Sequence, residues 1–377
     1  MNVLGLASYP VDAAATRYRL TQFVEPLRER GIRLTVRPFL DSRTFIDFYR
    51  RSALLSTTAG LARALPKRFD DAIRRSAQAD VLLVQREAIL FGPPVTEWLA
   101  MHMGRRPLVL DLDDATYVPY VGATYGKLGR LLKWPSKTDT LIRWATVVTC
   151  GSEAISAHAS SVGKPAYVLP TVVNTDRFRP RAMEPNRRGP PVLGWVGSHS
   201  TFPYLLSLAP VLAELAQRHP YRLRVVGSGR ESVRFDGVDV ETLDWNLERE
   251  TADFQSIDIG LYPLLEDAWS VGKSGLKSIQ YLAVGIPYVA SPVGGAAKIG
   301  EPGVTHFCAR SADDWLKALG SLIADPDLRR KMGQAGRRHA LRHYTVGQAA
   351  DRLADALYHA ADGTVPDTPV ISGWPAD

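Results

Sequence analysis

Short apolar runs alternate with polar, helix-patterned stretches along the whole chain. Val3–Ala7, Leu34–Pro38, Asp80–Gln85, Pro107–Asp111, Ala145–Cys150 and Ala166–Leu169 are dense in aliphatic residues with little polar alternation. That density predicts strands covered on both faces, as in a parallel sheet. Tyr18–Gly31, Ser42–Phe69 and Ser152–Val162 carry helical spacing between them, the first stopped by Gly31. After a proline-containing stretch at Thr171–Pro191 the alternation begins again. Strands are predicted at Val192–Val196, Leu223–Val226, Asp239–Thr242, Ile257–Tyr262 and Tyr288–Ala290. Helices are predicted at Tyr204–Arg218, Glu248–Gln255, Gly275–Val284, Ala312–Ala324, Pro326–Arg342 and Val346–Ala361.

Two βαβ series joined by one connection predict an α/β chain of two doubly wound domains facing a cleft. The boundaries read from the pattern are an N-terminal domain over 1–170, a linker over 171–191 and a C-terminal domain over 192–345. A separate helix follows over 346–361, then a disordered tail over 362–377 with three prolines.

Composition narrows the class only modestly. A length of 377 residues suits two domains, and 45% apolar with 23% charged residues is ordinary for a globular protein. A net charge of +7 favours anionic partners such as nucleotides, without a nucleic-acid signature. Cys150 and Cys308 stand far apart, so neither a disulfide framework nor a thiolate metal site is expected, and a reducing, cytoplasmic setting fits. No apolar run reaches spanning length, and the N-terminus reads as a strand rather than a signal peptide. Over 120–144, Lys127, Arg130, Lys133, Lys137 and Arg143 interleave with Leu128, Leu131, Leu132 and Trp134. This pattern suits either an ordinary amphipathic helix or one in peripheral contact with a membrane.

The segment Gly272–Gly295 carries the most chemistry. It reads as a helix start, a helix, a Gly turn, a buried strand and a second Gly loop. Lys273, Lys277 and Gln280 fall on one face and Leu276, Ile279 and Ala283 on the other. A helix N-terminus beside lysines is a natural place for a phosphate. Asp267…Gly272-Lys273-Ser274 lacks the first glycine of a P-loop, and Gly227-Ser-Gly229 lacks the third glycine of a dinucleotide fingerprint, so both motifs are set aside.

The order of Gly194-Trp-Val-Gly-Ser198, Arg224-Val-Val-Gly-Ser-Gly229, Asp258-Ile-Gly-Leu-Tyr-Pro263, Gly272–Gly295 and Asp325-Pro-Asp-Leu-Arg…Tyr344 resembles the GT-B glycosyltransferases, specifically retaining family 4. The resemblance covers roughly residues 190–360. It implies transfer of a hexosyl-type sugar from a UDP- or GDP-type donor to a hydroxyl acceptor, which is a glycan, a lipid-linked molecule or a small molecule. It implies no metal, no cofactor and no nucleic-acid partner, and a final helix that crosses back onto the N-terminal domain. The donor would meet Gly197, Ser198 and His199, the Gly227–Gly229 loop, Leu243 within Thr242–Trp245, Ser274, Gly275, Lys277, Gln280 at the ribose, and Gly294 and Gly295 at the sugar. Lys273 would stabilise the leaving diphosphate.

Three positions depart from the family's pattern. Gly272 and Gln280 stand where the family usually has two glutamates, and Ser198-His-Ser-Thr-Phe202 stands where an Arg and a Lys are usual. Asp111-Leu-Asp-Asp-Ala115 ends an N-terminal strand where many relatives place a His. Asp113 and Asp114 are therefore substrate-contact candidates, with structural capping and, because Asp111-Leu-Asp113 mimics an Asp-x-Asp motif, metal ligation as the other readings. Arg86 either holds a phosphate or carboxylate or pairs with Asp113 or Asp111. Arg17 and Arg19, after the first strand, are candidates for a donor phosphate or an anionic acceptor, with a surface role as the other reading. Competing readings of the whole chain are a non-catalytic nucleotide- or glycan-binding subunit and a sugar-nucleotide epimerase.

Overall fold

The computed structural model describes residues 1–48, 53–119, 134–182 and 189–364. Two compact units result. The first comprises Met1–Thr171, Gly272–Ser274 and the chain from Val346 onward; the second comprises Val172–Val271 and Gly275–Thr345.

The first unit is built on a parallel sheet of six strands: β1 (Asn2–Ala7), β2 (Arg33–Pro38), β3 (Val81–Gln85), β4 (Leu108–Leu112), β5 (Val147–Cys150) and β6 (Ala166–Val168), in the order β2-β1-β3-β4-β5-β6. The near-continuous apolar runs are explained by burial: every residue of β3, β4 and β5 is buried. Leu4, Leu6, Leu82, Val84, Leu108 and Leu110 form one core with helix residues Leu141, Ile142, Ile155 and Ala159. The Val346–Ala361 helix packs on β4 and β5 of this unit and on the Val24–Arg28 helix, burying Ala350, Leu353 and Leu357.

The second unit repeats the plan with β7 (Val192–Val196), β8 (Arg222–Val226), β9 (Asp239–Leu243), β10 (Ile259–Tyr262), β11 (Tyr288–Ala290) and β12 (Phe307–Cys308), in the order β12-β11-β10-β7-β8-β9. Its strands are also parallel. Renumbered from its own start, that order is the dinucleotide-binding order 3-2-1-4-5-6. The expected doubly wound α/β architecture is therefore present in both halves. Helix starts follow local chemistry. Ser311 and Asp314 form a reciprocal cap on Ala312–Ala324, and the Asp325 side chain accepts from the Leu328 amide ahead of Pro326–His343.

Several boundaries differ from the periodicity. The helix expected over Tyr18–Gly31 is broken into Ala14–Arg19, a 3₁₀ turn at Thr21–Phe23, and Val24–Arg28. Tyr204–Arg218 is likewise divided into Phe202–Leu206 and Ala209–Arg218, each with proline in its first turn. Within the stretch expected as one helix over Ser42–Phe69, the described residues form Ser42–Phe48 and Leu54–Asp70. Strand β12, of two residues, was too short to register as a period. Most of the 120–144 segment, and all but the start of the expected tail, lie outside the described residues; within 120–144, Ser136–Trp144 is helical with Leu141 and Ile142 buried. No described helix is long and apolar enough to cross a membrane.

Candidate active site

In the first sheet the strand order reverses between β1 and β3. Open parallel sheets bind ligands beyond the carboxyl ends of strands near such a reversal. Arg86 directly follows β3 and adopts φ 61°, a left-handed backbone uncommon for a residue with a side chain. Its side chain explains why the conformation is tolerated. Nε donates to Asp113 Oδ1 at 2.5 Å, and Nη2 donates to Asp113 Oδ2 at 2.7 Å and Asp114 Oδ2 at 2.5 Å. Gln85 Nε2 donates to Asp113 Oδ1 at 2.7 Å. Burial works against the Asp113 carboxylate, but the Arg86 guanidinium outweighs it and holds the carboxyl below the ordinary value. The same pairing, against the same burial, raises the Arg86 guanidinium. Of the open readings for Arg86, the structure therefore selects the ion pair, with Asp113 and Asp114 rather than Asp111.

Asp111 faces a different arginine. Arg19 Nε and Nη2 donate to its two oxygens at 2.8 and 2.5 Å, and Thr149 Oγ1 donates to Asp111 Oδ1 at 2.6 Å. Arg19 Nη1 donates to the Leu169 carbonyl at 2.7 Å. Arg19 is 1% exposed. The acceptor-binding role expected for Arg19 is corrected accordingly: its guanidinium is spent inside the unit, tying the helix after β1 to β4 and to the end of β6. Arg17, half-buried, lies with its guanidinium 4.5 Å from the centre of the Tyr18 ring.

Residues 272–274 belong to this unit and run beside the ends of β4 and β5. A Cβ added to Gly272 would stand 2.5 Å from Ala115 Cβ. The Gly272 carbonyl accepts from Ser152 Oγ at 3.2 Å, and Ser274 Oγ accepts from Thr171 Oγ1 at 3.1 Å. Gly151 is the complementary vacancy, since a Cβ there would meet Ser274 Cβ at 2.8 Å and Asp113 Cα at 3.2 Å. The missing carboxylate at position 272 thus has a steric reason: no side chain fits there while Ala115 keeps its place. Lys273, half-buried, sits between these two anchored neighbours. Gly272→Ala is expected to cost about 1–3 kcal/mol by overpacking. In denaturant unfolding, Ala115→Gly should relieve part of that cost in the double variant; simple additivity would contradict the contact.

In the second sheet the reversal falls between β7 and β10. Gly197, after β7, donates its amide to the Val226 carbonyl at 3.0 Å, and the Ser198 amide donates to Thr201 Oγ1 at 3.0 Å. A Cβ on Gly197 would meet the Trp195 ring at 2.2 Å. Gly227 and Gly229 have φ of 80° and 71°, and Cβ atoms there would meet the Gly197 carbonyl at 2.5 Å and His199 Cβ at 2.8 Å. These glycines are demanded by how the loops after β7 and β8 pack on each other. The Gly227 amide donates to the carbonyl of Leu243, at the end of β9. Gly294 similarly lies against the Val271 carbonyl, 2.3 Å from its added Cβ, and opens a 3₁₀ turn that includes Gly295.

The helix predicted at Gly275–Val284 is observed at Leu276–Ala283, with Gly275 at φ 70° just before it. Lys277 and Gln280 share a face, as the spacing predicts, but that face is partly turned inward. Lys277 Nζ donates to Gln280 Oε1 at 2.9 Å and lies 5.3 Å from the centre of the Phe254 ring. Gln280 is fully buried, and its Nε2 donates to Glu250 Oε1 at 3.4 Å. Gln280, expected at the ribose, thus lies buried between Lys277 and Glu250. Glu250, Gly151, Ser152 and Thr171 were not singled out from sequence; the readable signal was Gly151-Ser152, a glycine and an N-cap serine at a strand end. Among the described residues no cluster of His, Cys, Asp and Glu has the arrangement of a metal site.

Residues 209–355 match the family model described as glycosyl transferase-like. D-inositol 3-phosphate glycosyltransferase of Corynebacterium jeikeium is 30% identical over 202 residues, 46% of this chain and 47% of that protein. Its counterpart in Corynebacterium aurimucosum is 31% identical over 219 residues, 51% and 49% of the two chains. The chain thus spans about half the length of the curated relatives it matches. Among solved structures, Anabaena HepE in complex with UDP-glucose superposes with a TM-score of 0.65 at 16% identity, over 95% of this chain and 99% of that one. Sucrose-phosphate synthase of Thermosynechococcus elongatus gives 0.67 at 15% identity, over 95% and 98%. At these identities the structural likeness speaks to the fold.

Proposed function

We propose, for a chain with the GT-B fold whose residues 209–355 match the glycosyl transferase-like family model, that it moves a sugar from a nucleoside-diphosphate donor to a hydroxyl acceptor with retention of anomeric configuration. The family match across the second, dinucleotide-ordered unit is the observation that carries this reading. The complex of HepE with UDP-glucose favours a UDP-type donor.

The chemistry asks for charge stabilisation more than for acid catalysis. The bond between the anomeric carbon and the diphosphate oxygen breaks, and its electron pair leaves on the diphosphate. The acceptor oxygen bonds to the same face of that carbon, and its proton passes to the departing phosphate. Negative charge builds on the diphosphate. We assign Lys273 to meet it. We assign Lys277, held by Gln280 on the Leu276–Ala283 helix of the second unit, to the donor as well.

Asp113 is not a proton donor in this scheme. Held by Arg86 and Gln85, it stays ionised through the neutral range. We assign Arg86 and Asp113 to fix the strand-end loop, and Asp114, half-buried with one oxygen on Arg86, to accept a hydrogen bond from the acceptor hydroxyl. Nuclear magnetic resonance of the product formed from a UDP-sugar tests the stereochemistry. An anomeric configuration matching the donor is expected, and inversion would overturn the same-face scheme.

A further inference from the structure

We propose that the first unit carries a binding pocket for a phosphate group, built beyond the carboxyl end of the edge strand β2 and walled by the Leu54–Asp70 helix. The inference stands on this unit alone and does not depend on the transfer reaction. The pocket encloses about 660 Å³. Arg37, Arg63, Lys67, Arg68 and Arg75 line it, against the carboxylates of Asp41, Asp70 and Asp71. Five cations thus face three anions in the lining, and the buried Glu97 carboxylate, close enough to act on Arg68, adds a fourth, so positive charge is still in excess.

The imbalance is concentrated at one buried carboxylate. Asp71, 2% exposed, is met by three guanidiniums: Arg37 Nε at 2.8 Å, Arg75 Nε at 3.3 Å and Arg68 Nη1 at 3.6 Å. One anion cannot neutralise three cations. Asp70 relieves little, since it is shared between Arg75 at 3.6 Å and Arg74 at 3.7 Å. Arg68 is the least satisfied of the three. It is 1% exposed, and Nη2 donates to the carbonyls of Ala7 and Arg37 at 2.8 and 2.9 Å. Its Nε and Nη1 have no hydrogen-bond partner. Burial lowers the Arg68 guanidinium to about 10, which still leaves it charged at neutral pH. Folding tolerates buried, unpaired donors poorly.

A ligand that completes this site supplies negative charge and several acceptor oxygens in a small volume. A phosphomonoester has both, whereas a carboxylate brings one charge and two oxygens. Arg63 and Lys67, four residues apart and exposed on the Leu54–Asp70 helix, are placed to close over it at the pocket's rim. The phosphate group has two natural sources, a free phosphorylated small molecule or a phospholipid headgroup.

The test uses the full chain and an Arg63→Gln/Lys67→Gln double variant. Both substitutions sit on exposed positions, so the melting temperature should be unchanged. Glycerol 3-phosphate is titrated by calorimetry with UDP present to occupy any nucleotide site. Phosphatidylcholine vesicles with and without phosphatidic acid are used in co-sedimentation. Binding that weakens about tenfold or more in the double variant is expected, the loss of one or two charge-assisted contacts. An effect with glycerol 3-phosphate identifies a soluble ligand, and one with phosphatidic acid vesicles alone identifies a headgroup. Equal binding of both probes by the two proteins, or binding of neither by the native chain, overturns the proposal.

Discussion

Replacing Lys273 by alanine is expected to lower turnover of the proposed nucleoside-diphosphate sugar donor by about 10²–10³-fold, with the protein melting as before. The size follows from the step proposed: an electrostatic donor aimed at charge that develops in the transition state is worth about 2.7–4 kcal/mol. The position of Lys273 makes the expectation specific. Gly272 is pressed against Ala115 and Ser274 against Gly151 and Thr171, so the backbone carrying the lysine has little room to drift. The family's usual glutamate is excluded from position 272 by that same contact, which leaves the lysine as the charged group at this point of the segment. Because Lys273 is half-buried at the margin of its unit rather than in the core, its truncation should leave unfolding free energy nearly unaffected. A Lys273→Ala enzyme with near-native kcat/KM would remove the residue from the mechanism. One with a sharply lowered melting temperature would assign it to folding instead.

Replacing Arg19 by alanine is expected to act on stability instead, at a cost of about 3–5 kcal/mol. The guanidinium is fully buried and shares two hydrogen bonds with Asp111, so removing it strands a carboxylate whose remaining partner is Thr149. It also frees the Leu169 carbonyl, loosening the end of β6. Denaturant titration should show a lower midpoint with an unchanged slope. An Arg19→Leu/Asp111→Leu double variant should recover much of the loss, because two apolar side chains impose no buried charge. A loss below about 1 kcal/mol, as for an exposed pair, would contradict the buried geometry.

These two residues also mark where reading the sequence succeeds and where it stops. The strands were legible because β3, β4 and β5 are buried on both faces, which forces unbroken runs such as Val81–Gln85. The second unit was legible as a nucleotide-type fold because its glycines recur at strand ends, and the packing of Gly197, Gly227 and Gly294 supplies the physical reason. Side-chain partners were not legible. Arg19 and Arg86 each sit near a strand end with the Asp111–Asp114 run within reach. Only the fold decides that Asp111 turns to Arg19 while Asp113 and Asp114 turn to Arg86. Spacing placed Lys277 and Gln280 on one face correctly. It carried no information about Phe254 and Glu250, which come from a different helix and draw that face inward. The three-arginine cluster around Asp71 was hidden for the same reason, since Arg37 arrives from β2 and the others from the far end of a long helix segment.

The most direct test of the account is nucleoside diphosphate release by the native chain across UDP-, GDP- and ADP-sugars, with and without a hydroxyl acceptor. Acceptor-dependent release from one donor, with the sugar recovered on the acceptor, is the predicted result. Donor binding without release under every acceptor, or recovery of an altered sugar nucleotide with no acceptor present, would contradict glycosyl transfer as the activity of this chain.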